Sequence, residues 1–200
     1  MPHTATRIIV DEHAALTAVL RSLLLMVQQG PGDEPERFFD VLRAMLFYID
    51  EFPEKQHHPK ESDLLFPKLM RADPGAIDVI RRLEEDHMRG EGRVRELQHL
   101  LLAWELIGDI RRAAFVDAAE KYVGFYLEHM RTEESQLLPL AEKVLSARDW
   151  AELDRAFQQN SDPVAGGMRD PCYDRLFTRI VQHAPAPIGV GPALVNEAAA

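Results

Sequence analysis

The chain has 200 residues and a formal net charge of −10, from 23 Lys+Arg against 33 Asp+Glu, so its overall field repels phosphate backbones and speaks against nucleic-acid binding. Hydrophobic residues make up 46% and charged residues 28%, a balance that supports a folded core and excludes disorder throughout. A single cysteine, Cys172, excludes an internal disulfide framework and a Cys-rich zinc site; no apolar run approaches the ~20 residues of a membrane helix, and residues 1–10 lack a basic-then-apolar signal pattern, so a soluble cytoplasmic protein is expected.

The first segment, roughly 5–29, repeats apolar positions three and four apart at Leu16, Val19, Leu20, Leu23, Leu24 and Val27, the pattern of an amphipathic helix. Gly30-Pro31-Gly32 marks its end. The second segment, roughly 36–71, contains Pro53 and Pro59. An interior proline loses a hydrogen bond and clashes with the preceding turn, which predicts a kink or interruption between Phe52 and Pro59. Asp73 can cap a helix whose first residue is Pro74, opening the third segment, 75–107. Gly108-Asp109 separates it from the fourth, 109–145. Ser146 and Asp149 read as a capping pair that starts a short fifth helix reaching about Phe157.

Residues 160–200 hold five of the 13 prolines. An extended tail is expected there, with one helical stretch near 173–182 and a mobile end from 185 onward. Tyr173, Leu176, Phe177 and Ile180 are expected to pack on the chain's own body. Four long helices with short loops predict an all-α fold, an antiparallel up-down four-helix bundle over 1–160 followed by a tail over 161–200.

Four of the eight histidines fall into a pattern. His57-His58-Pro59-Lys60-Glu61 lies on the second segment and His129-Met130-Arg131-Thr132-Glu133 on the fourth. Both spell H-x-x-x-E, and four residues of helix turn through about 400°, so each pair shares a face. His13 follows Asp11-Glu12 on the first segment, and His87 follows Glu85-Asp86 on the third. Counted from the shared loops, His87 matches His129 in height and His57 nearly matches His87. His13 and His57 differ by six residues, about 9 Å of helix, a gap that an irregular second segment would close. Imidazole suits iron, zinc, copper and nickel, and carboxylates can bridge two metals. Glu61 and Glu133 have no Lys or Arg at i±4, and a buried acid without a cation costs several kcal/mol. A dinuclear metal site between the helices satisfies all of these constraints.

These residues resemble the hemerythrin family, in its HHE cation-binding branch. The resemblance covers about 5–145. It rests on Asp11-Glu12-His13, on His57 to Glu61 followed by Leu65-Phe66-Pro67, on Glu85-Asp86-His87, and on His129 to Glu134 followed by Leu138-Pro139. It implies an antiparallel four-helix bundle with a non-haem di-iron centre: two iron ions and a bridging oxo or hydroxo group, with other divalent metals able to enter. By the same resemblance His13, His57, His87 and His129 are histidine ligands, Glu61 and Glu133 are bridging carboxylates, and an open position takes O2, NO or peroxide.

The family's oxygen carriers have two histidines on the third helix, four apart. Here the position four after His87 is Glu91, a candidate replacement ligand that would shift the centre toward sensing, iron handling or redox turnover. His57 is read as the ligand and His58 as an outer or surface residue. Asp11, Glu12, Asp86 and Glu134 are read as exposed charges, with carboxylate support of an imidazole as the alternative. Tyr122 and Tyr126 are read as core packing, with donation to a ligand on the metal as the alternative. Two functions follow. One is a protein that binds oxygen or a related small ligand, or senses or handles iron. The other is a di-iron redox enzyme that removes peroxide or nitric oxide or repairs iron–sulfur clusters. Ferritin-like chemistry uses E-x-x-H on two helices with lone glutamates on the others. Glu54 to His57 and Glu84 to His87 fit that spelling, but His13 and His129 stand where those glutamates would be.

Overall fold

The computed structural model describes residues 2–160, 162, 164–166 and 171–191, and every regular element among them is helical. Helix α1 (Thr4–Gln29) ends at Gly30, whose φ of 80° suits glycine and whose N–H closes onto the Met26 carbonyl. Helix α2 (Pro35–Ile49) begins with proline in its first turn, where the missing N–H costs nothing.

The second rod does not break at its prolines. It widens. Asp50–His57 and Glu61–Leu65 are π-helical, with i→i+5 bonds from the His58 N–H to the Pro53 carbonyl and from the Phe66 N–H to the Glu61 carbonyl. A single α-turn, α3 (His58–Lys60), joins them, and α4 (Phe66–Ala72) completes the rod. The expected irregularity thus takes the form of a π-helical stretch that interrupts the α-helix without breaking the rod. A proline ring collides with the carbonyl of the preceding turn and donates no bond; a wider turn moves that carbonyl aside and keeps the other backbone groups paired.

Asp73 accepts the Gly75 N–H at 2.9 Å, and a 3₁₀ turn, Pro74–Ala76, leads into α5 (Ile77–Ile107). Gly108, at φ 99°, and a second 3₁₀ turn connect α5 to α6 (Arg112–Thr132). Here too the helix widens at its acid. Glu133–Leu137 is π-helical and passes into α7 (Leu138–Val144). Glu61 and Glu133 each open a widened stretch, and each is followed six positions later by a proline, Pro67 and Pro139. Helix α8 (Ala147–Phe157) carries the expected capping box between Ser146 and Asp149 and lies along α1.

Helix α9 (Asp174–His183) packs on α2, with Ile180 and Ala184 in the core and Tyr173 and Leu176 against it. Of the end expected to be mobile, the segment 185–191 makes defined contacts with α1. Ser22 Oγ donates to the Pro185 carbonyl at 2.9 Å and accepts the Ile188 N–H at 3.1 Å. A buried serine on α1 offers both a donor and an acceptor, and the returning chain uses both. The rest of that expectation, 192–200, lies outside the described residues.

The core has two apolar parts. One gathers Leu16 to Val27 of α1, most of α2, Val94 to Trp104 of α5 and Phe115 to Met130 of α6. The other gathers Ala5 and Ile9, Leu65 to Leu69, Ile80 and Leu83, Leu137 to Ala141, and Trp150 to Phe157 of α8. Between these two groups along the chain stand His13 on α1, His57 to Glu61 on the second rod, His87 on α5 and Glu133 after α6. A polar layer thus crosses the body at one level.

Candidate metal centre

All of these polar side chains are buried, with Glu61 at 0% and Glu133 at 1% exposure. Four of the histidines present Nε2 inward. His13 and His57 approach at 3.2 Å through these atoms, and His87 and His129 at 3.1 Å. Glu61 reaches across: Oε1 lies 3.2 Å from His57 Nε2 and Oε2 lies 3.5 Å from His87 Nε2. Glu133 does the same, with Oε2 3.3 Å from His13 Nε2 and Oε1 3.3 Å from His129 Nε2. Two sets of donor atoms result, each within a 4.8 Å span: His13, His57, Glu61 and Glu133, and His58, Glu61, His87 and His129.

Whether cations fit there is decided by the two acids. All four carboxylate oxygens of Glu61 and Glu133 are buried and lack a hydrogen-bond partner among the described residues. Such an arrangement is costly for protein alone. Cations held between the acids and the imidazoles would supply the partners these oxygens lack. The donor set, imidazole with carboxylate, suits first-row transition metals.

An outer ring of polar groups orients the imidazoles from behind. His57 Nδ1 meets Glu12 at 2.7 Å, His13 Nδ1 meets Glu134 at 3.0 Å, and His58 Nδ1 meets Glu54 at 3.3 Å. His87 Nδ1 meets Ser62 Oγ at 3.0 Å, and that hydroxyl also lies 3.0 Å from Glu84. His129 Nδ1 lies 3.7 Å from Asp86. A carboxylate behind an imidazole fixes the tautomer that leaves Nε2 bare and strengthens it as a ligand.

A family model described as the hemerythrin HHE cation binding domain matches residues 4–141. The chain belongs to the hemerythrin HHE family. Among curated proteins no match is found. The match ends within α7, so α8 and everything after it lie beyond the matched region.

Within the hemerythrin domain the structure brings together His13, His57, Glu61, His87, His129 and Glu133. It adds His58, which the sequence reading left outside. Helical neighbours point about 100° apart. One cation would take His57 or His58, whereas two donor groups side by side take both. His58 thus supplies a third imidazole to the group holding a single histidine of the third helix. Glu91 is corrected in the other direction. It is exposed and ion-paired to Arg95 one turn on. Position 91 lies about 40° past His87, toward solvent. The inward position at this height is Gly90, and a Cβ there would overlap the Tyr126 hydroxyl and come within 2.9 Å of Glu54 Oε1.

Glu12 and Glu134 likewise hold imidazoles rather than standing idle, and Asp86 stands 3.7 Å from His129 Nδ1. Tyr122 and Tyr126 are buried, and both donate to Glu54 Oε1. Burial lifts Glu54 to about 7 against these two hydrogen bonds. The signal for Glu54, Glu12 and Glu134 was their spacing to the histidines, four before His58, one before His13 and five after His129. Spacing alone does not separate such acids from surface charges.

Protons are shared unevenly among these side chains. Burial lowers His57, but the charge of Glu61 and the hydrogen bond to Glu12 carry it well above its usual value. Burial also opposes His129, which Glu133 and Asp86 raise to about 10. His58 and His87 are lowered by burial and by neighbouring imidazolium charge. Burial and the charge of Glu133 raise Glu61, while His129 and His13 hold Glu133 well below the usual range despite its burial. A metal must therefore displace protons from His57 and His129. Loading at pH 7 is expected to release protons, and affinity is expected to climb with pH toward about 10, where His129 loses its own. Calorimetry in buffers of different ionisation enthalpy measures this. Loading without proton release would contradict the assignment.

Proposed function

We propose that the protein holds two iron ions and binds oxygen or a related small ligand such as nitric oxide or peroxide, or senses or handles iron. One ion would sit among His13, His57, Glu61 and Glu133. The other would sit among His58, Glu61, His87 and His129, with Glu133 Oε1 at hand. The observation that carries this reading is the pair of buried carboxylates without hydrogen bonds, each facing imidazole nitrogens of both groups. Membership of the hemerythrin HHE family supports it.

The frame is proposed to be an antiparallel up-and-down four-helix bundle. The order in which each rod meets the two apolar parts supports this. The first rod passes from the Ile9 part to the Leu16 part, the second returns, α5 repeats the first direction and α6 with α7 the second. A cytoplasmic setting is proposed on the acidic composition and on the absence, among the described residues, of a helix long and apolar enough to cross a membrane.

Iron in these positions would supply a redox-active Lewis acid for a small oxidant. The chain's own residues do the rest. Leu16, Phe52, Pro53 and Met130 form the apolar side of a small cavity beside His13, His57 and His58. The first group has the fewer imidazoles, and its His13 and His57 border this cavity, so a small ligand would reach an ion held there. Glu12, Glu134 and Glu54 hold the three imidazoles in place.

A second reading, a redox enzyme acting on peroxide or nitric oxide or in iron–sulfur cluster repair, is favoured by the outer carboxylates. They increase imidazole basicity and so stabilise a more highly charged ion. Anaerobic reconstitution with ferrous iron tests both. Two irons per chain are expected. A reversible band under oxygen supports binding. Irreversible oxidation with repeated consumption of peroxide supports the enzyme. Failure to retain iron would remove both readings.

A further inference from the structure

Helix α8 lies beyond the hemerythrin match, yet its end reaches the centre. The Phe157 ring meets His57 edge-on, with centroids 6.1 Å apart at 76°. Three residues later Asn160, 5% exposed, spans both oxygens of Glu12 with its amide nitrogen, at 2.8 Å to Oε1 and 2.9 Å to Oε2. Glu12 Oε2 in turn receives His57 Nδ1 at 2.7 Å. The backbone carrying Asn160 is held from both sides. Its own N–H donates to the Phe157 carbonyl at 2.9 Å. Two residues on, Asp162 accepts the Tyr48 hydroxyl at 2.7 Å and the Val164 and Ala165 N–H groups at 2.8 and 3.2 Å.

A carboxylate held only by one imidazole can rotate about its own axis. An amide spanning both oxygens fixes its plane and aims one oxygen at His57. That in turn holds His57 Nε2 toward Glu61 and His13. Among the described residues the other donor group has no such connection to the region after α8. His58 and His87 are held by Glu54 and Ser62, and Asp86 stands 3.7 Å from His129, all inside the hemerythrin match.

We propose that Asn160 is a positioning residue for the cation held by His13 and His57, acting through Glu12. The inference rests on the two-cation reading above. Cobalt(II) titration tests it, with d–d absorption and bound-metal analysis as readouts. The wild-type chain is expected to bind two cobalt ions. Asn160→Leu keeps the size and removes the amide, and Asn160→Ala removes it without adding bulk. Each is expected to weaken one cobalt site about tenfold or more, to alter its absorption and to leave the other site unchanged. Glu12→Gln is expected to weaken the same site, with no further loss in the Glu12→Gln, Asn160→Leu double variant, because the two act as one chain of contacts.

Wild-type affinity at both sites in both Asn160 variants overturns the proposal. So does equal weakening of the two sites, or a double-variant loss equal to the sum of the single ones. If the wild-type chain itself fails to bind two cobalt ions, the two-cation reading falls, and the inference falls with it.

Discussion

A Glu61→Gln protein is expected to lose most of its metal and to keep its fold. Glu61 is the residue both donor groups share, with one oxygen toward each. Gln replaces one of those oxygens with an N–H donor and removes the charge that balances the cations. Without metal the exchange is mild. Burial and the charge of Glu133 already disfavour the charged form of Glu61, and Gln keeps its shape, so the fold is expected to hold. With metal the difference is large. A ligand at a thousand times its dissociation constant stabilises the folded state by about 4 kcal/mol per site. In a chain of this size that corresponds to a rise on the order of 10 °C in unfolding temperature. The wild-type protein is expected to show this rise on loading and the variant to show little of it. Thermal unfolding with and without metal, beside metal analysis after desalting, measures both quantities. A variant that retains two metals per chain would refute the shared role of Glu61.

Trp104→Ala is expected to do the reverse. Trp104 is 1% exposed and meets Phe38 and Phe39 edge-on at 5.4 and 5.2 Å, with Phe115 tilted at 5.7 Å. Its Nε1–H donates to Asp109 Oδ1 at 2.9 Å, so the ring also ties the end of α5 to the turn that follows. Removing a buried Trp costs about 3–5 kcal/mol through lost transfer energy and the cavity left behind. The unfolding temperature is expected to fall by roughly 10 °C. Metal content well below that temperature is expected to stay at the wild-type level, because position 104 lies about 25 Å along α5 from His87. Loss of metal in a folded Trp104→Ala protein would show that the two apolar parts do not act independently on the centre. Taken with Glu61→Gln, this pair separates what stabilises the fold from what holds the ions.

Much of this was legible in the residues themselves. The spacing from Leu16 to Val27 marks one buried face of a helix, and Ser146 with Asp149 marks the start of α8, because both signals act within a few residues. The two H-x-x-x-E pairs place a histidine and an acid one turn apart whatever the helix packs against. Other features depend on what stands opposite. Glu91 and Gly90 are neighbours on α5, and only the presence of Tyr126 and Glu54 across from them shows which faces inward. His57 and His58 compete for one cation but not for two. The prolines at 53 and 59 announce an irregular rod, while the surrounding backbone decides that it widens rather than breaks. Asn160 sits in a polar stretch without periodicity, and its contact with Glu12 spans 148 positions.

Helical class, the approximate ends of the rods and most of the metal donors are thus written in local sequence, since periodicity along one helix encodes both the face and the height of a side chain. Tertiary structure decided how those donors divide into two groups sharing Glu61, that His58 enters and Glu91 leaves, and that the chain after α8 closes on Glu12. These are matters of the distance and rotation between helices, which no single helix's sequence contains.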